Sequence, residues 1–368
     1  MIPYLIPVIL IIIGIYRYDV QQRSVNSRYL YWFIGLYLIL LFGLRDHIGW
    51  DTRMYTGFWD WFPSFRDNYD GALVHFQFMQ PGFQYLWLIC KEITPEFWFF
   101  QIVQCTFVVI VPMWFIRKRT RYHFVGLLLF ALCYCWYFCT EILRESISIC
   151  FFLLVFDALM KRKWIQYFIG CFCAFMFHFS AGILFLFPLA TVLNLRLNRT
   201  FIITTVCIFL ALSIAHNYVY QISTSLGGTY ADKLVIYATT TALGRKNMNW
   251  MILRVIQMFI LPFTILVIYK FILKRKIPYE SIFCIYILCG AGIPVFEEVF
   301  VRFTNYPMPV YLVSLATLFG ESIKHTSNRK TLGYILLGMV LVTYLYNPIK
   351  LELSDPTLIP YKWIVNFD

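Results

Sequence analysis

Charged residues are scarce in this chain. Only 14% of its 368 residues are Asp, Glu, Lys or Arg, whereas 60% are hydrophobic and the mean hydropathy is +0.69. A soluble domain carries roughly a quarter charged residues, so these charges are too few to coat a globule. The shortage of charge excludes an ordinary soluble protein and indicates a surface that lies mostly in lipid.

Several signatures of common enzymes are missing as well. The sequence contains no P-loop, no Rossmann fingerprint, no HExxH and no GxSxG. ATP-driven transport, cytosolic nucleotide-sugar use and metalloprotease chemistry therefore lose support. The first apolar run lacks a basic leader and an A-x-A-like site, so we expect no cleavable signal peptide.

Polar linkers and internal repeats are also missing, so we predict a single integral membrane domain over residues 1–368. All eleven cysteines fall in apolar segments rather than in a large exported loop, where a disulfide framework would be expected. We interpret them as buried apolar side chains without a metal or redox role.

What the chain has in quantity is apolar runs of membrane length, which predict an all-α fold. We expect a polytopic transmembrane helical bundle with about twelve spans. The run from residue 164 to 194 is too long for one helix, and we divide it at His178. The other predicted spans are 2–16, 29–44, 97–116, 124–140, 142–160, 201–215, 250–273, 281–295, 303–320 and 331–346.

Two long loops separate these spans, at residues 45–96 and 216–249. The first loop, between spans two and three, is aromatic and acidic. Within it, Gly82 to Lys91 is apolar but too short to cross a bilayer. We predict that this piece forms an interfacial or re-entrant helix.

The formal net charge of +12 reports on orientation. Most basic residues lie in alternate loops, at 17–28, 117–121, 161–163, 196–199, 270–276 and 324–330. The positive-inside rule places these loops in the cytoplasm and the two long loops on the outer side. Because the charge is explained by topology, we do not expect nucleic acid as a partner.

A charged turn at residues 44–55 follows the second span. Gly49 permits a tight turn there. Arg45 and Arg53 offer planar forks suited to phosphate or carboxylate. Asp46 and Asp51 could hold those forks, bind a cation or accept a proton. The alternative is a capped helix end with local ion pairs.

A second group of ionisable residues lies at the outer ends of later spans. Its members are Glu141, Arg144, Glu145, His178, Arg254, Glu297, Glu298 and Arg302. The spacing of Glu141, Arg144 and Glu145 predicts one shared helical face. Charges beside membrane spans are costly, which favours function, although each carboxylate could simply pair with a nearby arginine. We assign Asp157 to local pairing with Lys161.

Several short motifs in these segments resemble the EpsG family. They are Arg45-x-x-x-Gly49-x-Asp51-Thr52-x-x-Tyr55, Pro81-Gly82-Phe83, Leu143-Arg144-Glu145, Phe177-His178-Phe179-Ser180-Ala181 and Arg302-x-x-x-Tyr306. Residue 145 departs from the pattern, since many relatives have Gln there. That family contains Wzy-type O-antigen and exopolysaccharide polymerases of the bacterial inner membrane, with kinship to GT-C glycosyltransferases.

The resemblance implies an inverting glycosyltransferase that uses undecaprenyl-pyrophosphate-linked oligosaccharide at the periplasmic face. On this basis we assign pyrophosphate binding to Arg45, Arg53, Arg144, Arg302 and, in reserve, Arg254. The base would be His178 or Asp51, with a slight preference for His178. Supporting roles fall to Asp46, Glu141, Glu145, Glu298, Tyr55 and Tyr306. We expect no cofactor and no protein metal site, while a divalent cation at Asp46 and Asp51 stays open. The expected partners are the lipid bilayer and a chain-length regulator.

Two other classes stay open from the sequence. A lipid-linked oligosaccharide flippase or another transporter would also have about twelve spans, although transporters tend to show repeats and midplane polar sites. A membrane acyltransferase would use His178 with a carboxylate. The gathering of charge at one membrane face favours an enzyme over a transporter.

Overall fold

The computed structural model describes residues 2–23, 25–64, 76, 78–226, 248–323, 328–354 and 361. Within these ranges the chain is helical and contains no β-strand. It divides into two compact units. Unit 1 comprises Met1–Phe185, Leu315–Leu337 and Tyr344–Asp368, and unit 2 comprises Leu186–Ser314 and Gly338–Thr343.

Unit 1 contains the first nine helices. They are α1 (Ile2–Gly14), α2 (Ser27–Gly43), α3 (Trp50–Trp61), α4 (Pro81–Ile93), α5 (Phe97–Arg119), α6 (His123–Phe130), α7 (Trp136–Thr140), α8 (Leu143–Met160) and α9 (Trp164–Phe175). A π-helical turn, Ala131–Cys135, joins α6 to α7, and a 3-10 helix, Phe179–Leu186, follows α9. Helix α8 packs on α5 and α9, and α2 packs on α1 and α5.

A charged cluster closes one end of the α5–α8 pair. Lys118 Nζ lies 2.6 Å from Asp157 Oδ2, and Arg119 also pairs with Asp157. The expectation that Asp157 pairs with Lys161 is therefore wrong. Helical spacing allowed the local pair, but the packing of α5 against α8 brings two stronger partners from another helix.

Unit 2 contains α10 (Phe187–Val192), α11 (Arg199–Leu226), α12 (Met248–Val255), α13 (Leu261–Val267), α14 (Glu280–Ala291) and α15 (Glu297–Asn305). Helices α10, α11 and α15 pack against α14. Glu280 at the start of α14 accepts hydrogen bonds from Lys270 Nζ at 2.9 Å and from the Leu197 backbone N–H at 2.8 Å. Two last helices, α16 (Met308–Ile323) and α17 (Asn328–Ser354), contribute residues to both units.

Every predicted apolar span lies mostly in helix. In the described part of the chain, four helical stretches are long and apolar enough to cross a membrane: Ile2–Val20, Phe97–Arg119, His123–Thr140 and Met251–Ile272. Seven shorter apolar helices accompany them. The protein is therefore a helical membrane protein, and the count of about twelve spans stays a prediction.

The structure differs from the sequence prediction mainly between the spans. The predicted loop 45–96 contains a complete helix, α3, in addition to α4 at the expected place. Helix α11 continues into the second predicted loop, 216–249. Residues 227–247 of this loop, and residues 65–75 and 77 of the first loop, lie outside the described residues. The predicted span 303–320 is divided after Asn305, because Pro307 supplies no N–H to continue a helix.

Candidate functional site

The charged turn depends on one glycine at the start of α3. Gly49 has a φ of +101°, a conformation that other residues rarely adopt. A Cβ atom at this position would lie 2.6 Å from Thr140 Cβ and 2.8 Å from the Thr140 carbonyl oxygen. The turn can therefore press against the end of α7 only because residue 49 has no side chain.

Glu141 caps the helix that this turn begins. Both of its carboxylate oxygens lie 3.2 Å from the Trp50 backbone nitrogen, which donates to them. Burial raises the pKa of the Glu141 carboxyl, and hydrogen bonds from Trp50 and Thr140 partly offset this effect. The prediction that Glu141 shares a helical face with Arg144 is wrong, because α8 begins only at Leu143.

Arg45 is buried inside the turn, with 1% of its surface exposed. Its Nη2 donates to Thr52 Oγ1 at 2.9 Å and its Nε to the Ile48 carbonyl at 3.2 Å. Its Nη1 donates to the Phe42 carbonyl and lies 3.5 Å from Cys105 Sγ. This position differs from the expected one, since a guanidinium committed to the protein interior is not presented to a pyrophosphate.

The other charged residues of the turn stay near the surface. Arg53 is exposed, and its Nε donates to the His47 carbonyl at 3.0 Å. Asp46 is in contact with the neighbouring His47 side chain. Asp51 lies in the first turn of α3, four residues before Tyr55, so the two occupy one side of the helix.

Arg144 is the half-buried arginine around which the motif residues gather. Its Nη1 donates to the Phe78 carbonyl at 3.0 Å and to Gln80 Oε1 at 3.3 Å. Its guanidinium carbon lies 5.7 Å from the centre of the Tyr55 ring, within cation–π distance. Within the described residues these hydrogen bonds all leave from Nη1, so Nε and Nη2 are available to a ligand. The next residue, Glu145, is buried.

The Pro81-Gly82 motif lies between Gln80, which holds Arg144, and the turn before His178. The Gly82 backbone N–H donates to the Met176 carbonyl at 2.8 Å. A Cβ atom on Gly82 would lie 2.8 Å from that same oxygen. The close approach needs glycine, and it brings the start of α4, which carries Gln80, against the end of α9.

His178 caps the 3-10 helix that follows it. The Ser180 backbone N–H donates to His178 Nδ1 at 3.2 Å, and the Ser180 hydroxyl contacts the same nitrogen. Since Nδ1 accepts a backbone N–H, it carries a lone pair, and the proton of the neutral ring is on Nε2. A general base would need that lone pair, so this geometry weighs against His178 as the base.

The remaining predicted site residues lie in unit 2. Arg302 is half-buried on α15, whose first turn contains Glu297 and Glu298, a favourable place for acidic residues. Tyr306 follows the end of this helix and is fully buried. Arg254 is half-buried near the end of α12. The roles of Arg302 and Arg254 as pyrophosphate ligands, and of Glu298 and Tyr306 as supporting residues, stay predictions.

Metal binding has no ready site among the residues that the structure describes. No group of three or more His, Cys, Asp or Glu side chains there is arranged to hold a metal ion. Asp46 is engaged with His47, as described above. The divalent cation considered for Asp46 and Asp51 stays a sequence-based prediction.

Comparison with known protein families shows which family the chain belongs to. The model of the EpsG family matches residues 28–363, which include every motif residue described above. The chain belongs to the EpsG family. This confirms the resemblance seen in the sequence and makes the chain a membrane protein of polysaccharide biosynthesis, in a family associated with glycosyltransferase-like polymerase activity. No curated protein and no solved structure matches the chain.

Sequence reasoning alone did not identify two residues that shape the candidate site, Phe78 and Gln80, and it gave no role to a third, the motif residue Thr52. Gln80 and the Phe78 carbonyl hold Arg144, and Thr52 holds Arg45. Gln80 was detectable as the residue before a Pro-Gly pair, which marks a helix start. The Phe78 contact is made by a backbone oxygen, which no side-chain pattern reports.

Proposed function

We propose that the protein is an inverting polysaccharide polymerase of the bacterial inner membrane. It transfers a growing glycan from undecaprenyl pyrophosphate to a lipid-linked repeat unit at the periplasmic face. One observation carries this proposal most directly. Motif residues from four separate segments are joined by contacts in unit 1: Arg144 covers the Tyr55 ring and donates to Gln80, and Gly82 donates to the Met176 carbonyl.

The reaction makes one bond and breaks one. The acceptor hydroxyl oxygen attacks the anomeric carbon of the growing glycan from the side opposite the pyrophosphate. The bond from that carbon to the pyrophosphate oxygen breaks, and undecaprenyl pyrophosphate leaves with the electron pair. The protein must stabilise the charge that develops on the leaving oxygen and take one proton from the acceptor.

Arg144 and Arg53 are the proposed pyrophosphate ligands of unit 1. Both are partly exposed, and each is anchored by one nitrogen, so the remaining N–H groups can form charge-assisted hydrogen bonds to phosphate oxygens. Arg302 and Arg254 remain proposed ligands from the family pattern. Arg45 is left out of the set, because its guanidinium holds the turn.

Asp51 is the proposed general base. It lies one helical turn before Tyr55, the residue whose ring Arg144 covers. An ionised carboxylate at this position can accept the proton of the acceptor hydroxyl. His178 acts as a positioning residue, because its Nδ1 caps the helix that follows the turn at Met176.

The proposal is tested with purified protein in liposomes and undecaprenyl-pyrophosphate-linked repeat units. A ladder of products that lengthens with time is the expected result. Movement of unextended units across the bilayer would indicate the flippase instead. Transfer of an acyl group from an added acyl donor, with no ladder, would indicate the acyltransferase.

A further inference from the structure

An apolar groove runs along unit 1 beside the candidate site. Its volume is about 470 Å³, and residues of α4, α5 and α8 line it together with Phe177. The α5 wall includes Val103, Phe107 and Ile110, which recur at helical spacing and so face one side. Ile110 is 40% exposed, so the groove is open at this residue rather than fully enclosed.

The lining of the groove comes within one helical turn of Arg144, the proposed pyrophosphate ligand. On α8, Ile147 and Phe151 line the groove at three and seven residues after Arg144, so they continue the same helical face. Phe177, which also lines the groove, immediately precedes His178. The rings of Phe107, Phe151 and Phe177 form a chain, with centroids 5.6 Å and 5.1 Å apart.

The one amide in the groove wall is already satisfied. Gln104 Nε2 donates to the Phe138 carbonyl and to Ser146 Oγ, both at 3.0 Å. A satisfied amide leaves the wall without a strong demand for a polar ligand. An elongated hydrocarbon suits such a surface, provided that its polar end can reach Arg144.

We propose that this groove binds the hydrocarbon chain of the polyprenyl pyrophosphate while Arg144 binds its anionic head. The inference rests on the proposed function, since it names where that substrate's lipid lies. Charge at one end and an apolar path from it match an amphiphile with one anionic head and one long chain. The groove would thereby fix the pyrophosphate at a constant depth beside Asp51.

The test compares the binding of undecaprenyl pyrophosphate and farnesyl pyrophosphate, which share a head and differ in chain length. Binding is measured on the detergent-purified full chain with radiolabelled lipids, under conditions in which partition into micelles is the same for every variant. We expect wild-type protein to prefer the longer chain by about tenfold, because more apolar surface is buried.

Ile110→Trp fills the open side of the groove, and Ile169→Trp is its matched control. Ile169 is 60% exposed on α9 and does not line the groove. We expect Ile110→Trp to lower the chain-length preference nearly to one without weakening farnesyl pyrophosphate, and Ile169→Trp to keep it. Val103→Phe is a smaller second variant if Ile110→Trp lowers the melting temperature. An unchanged preference in folded groove variants overturns the proposal.

Two further outcomes separate the possibilities. If Ile110→Trp removes a co-purified phospholipid, seen by mass spectrometry, without altering the chain-length preference, the groove holds bulk lipid and the proposal is wrong. If the groove-dependent preference is found but no glycan ladder forms, the lipid site stands and the polymerase function fails. If a glycan ladder forms but the chain-length preference does not depend on the groove, the polymerase function stands and the proposed lipid site is wrong.

Discussion

Arg144 and Arg45 differ in how many guanidinium nitrogens are left to bind a ligand, which suits Arg144 to the proposed binding role and Arg45 to a structural one. Arg144 is held from one side by Phe78 and Gln80, whereas Arg45 has partners on all three nitrogens inside the protein. Both arginines belong to the same set of motifs. Substitution should therefore give two distinct phenotypes.

We predict that Arg144→Lys lowers polymerisation about a hundredfold at normal membrane levels, because an ammonium cannot present two parallel donors to phosphate. The measurement is ladder formation by purified protein. Arg121→Lys is the control, since Arg121 is 65% exposed and lies 3.9 Å from Glu321. Wild-type chain length in Arg144→Lys would remove Arg144 from the site.

We predict that Arg45→Met destabilises the fold by about 3 kcal/mol, because the carbonyls of Phe42 and Ile48 lose a buried donor. Thermal melting in detergent measures this loss. Arg53→Met should leave the melting temperature unchanged and reduce activity. A normally stable but inactive Arg45→Met protein would return Arg45 to the pyrophosphate site.

Substitutions at the two base candidates, Asp51 and His178, should also have different effects on activity. Asp51→Asn should lower turnover roughly a thousandfold, since it removes the proton acceptor. His178→Asn should retain most activity, because an Asn oxygen can still accept the Ser180 N–H, whereas His178→Ala should lose the cap. An inactive, normally folded His178→Asn protein together with an active Asp51→Asn protein would make His178 the base.

Helix α3 is stabilised by a residue from a distant segment of the chain. Its first N–H groups are capped by Glu141, which is 91 residues away from Trp50. The buried residues Thr52, Tyr55 and Trp59 recur at helical spacing, but the charged residues between them led to the prediction of a loop. Local signals were enough for α4, which begins with Pro81, and for the apolar spans. They could not reveal a cap supplied by another segment.

The capping carboxylate should also make stability depend on pH. Burial raises the pKa of Glu141 above its unfolded value, so the folded protein keeps a proton that the unfolded chain releases. The stabilisation is full below the unfolded pKa and is lost as pH rises through the folded pKa. Glu141→Gln does not titrate, and its amide oxygen can still accept from Trp50.

We therefore predict that the melting temperature of Glu141→Gln relative to wild-type protein increases as pH rises from about 4, near the ordinary Glu pKa, and levels off above the raised folded pKa of Glu141. Scanning calorimetry or dye-based melting in detergent measures the difference. Glu141→Ala is the control and should melt lower at both ends of the range. A constant difference between the Gln variant and wild type would contradict the raised pKa.

For the molecule as a whole, charge distribution remains the guide to orientation. We predict that reporters fused at Arg119, Lys163 and Arg275 read cytoplasmic, because they follow the basic ends of spans. Reporters at Asp67 and Gly228, which lie outside the described residues, should read periplasmic. A cytoplasmic signal at Asp67 would place the charged turn on the wrong side for a periplasmic polymerase.

The sequence predicted the elements of the molecule better than the contacts between them. Apolar runs located the spans because bilayer thickness and flanking basic residues impose length and ends. The sequence motifs also identified Arg144 and His178 as candidate site residues. It could not tell that Arg45 is buried or which His178 nitrogen faces Ser180, because both depend on packing between distant segments.

The Glu141 cap also constrains the order in which the chain can mature during synthesis. Trp50 leaves the ribosome long before Glu141, which caps it. Met176, whose carbonyl accepts a hydrogen bond from the Gly82 N–H, is made later still. At typical elongation rates the charged turn waits roughly ten seconds for these partners. The charged turn is thus among the first parts to be made and among the last to gain its packing partners, so an unfinished chain carries the proposed site in an incomplete form.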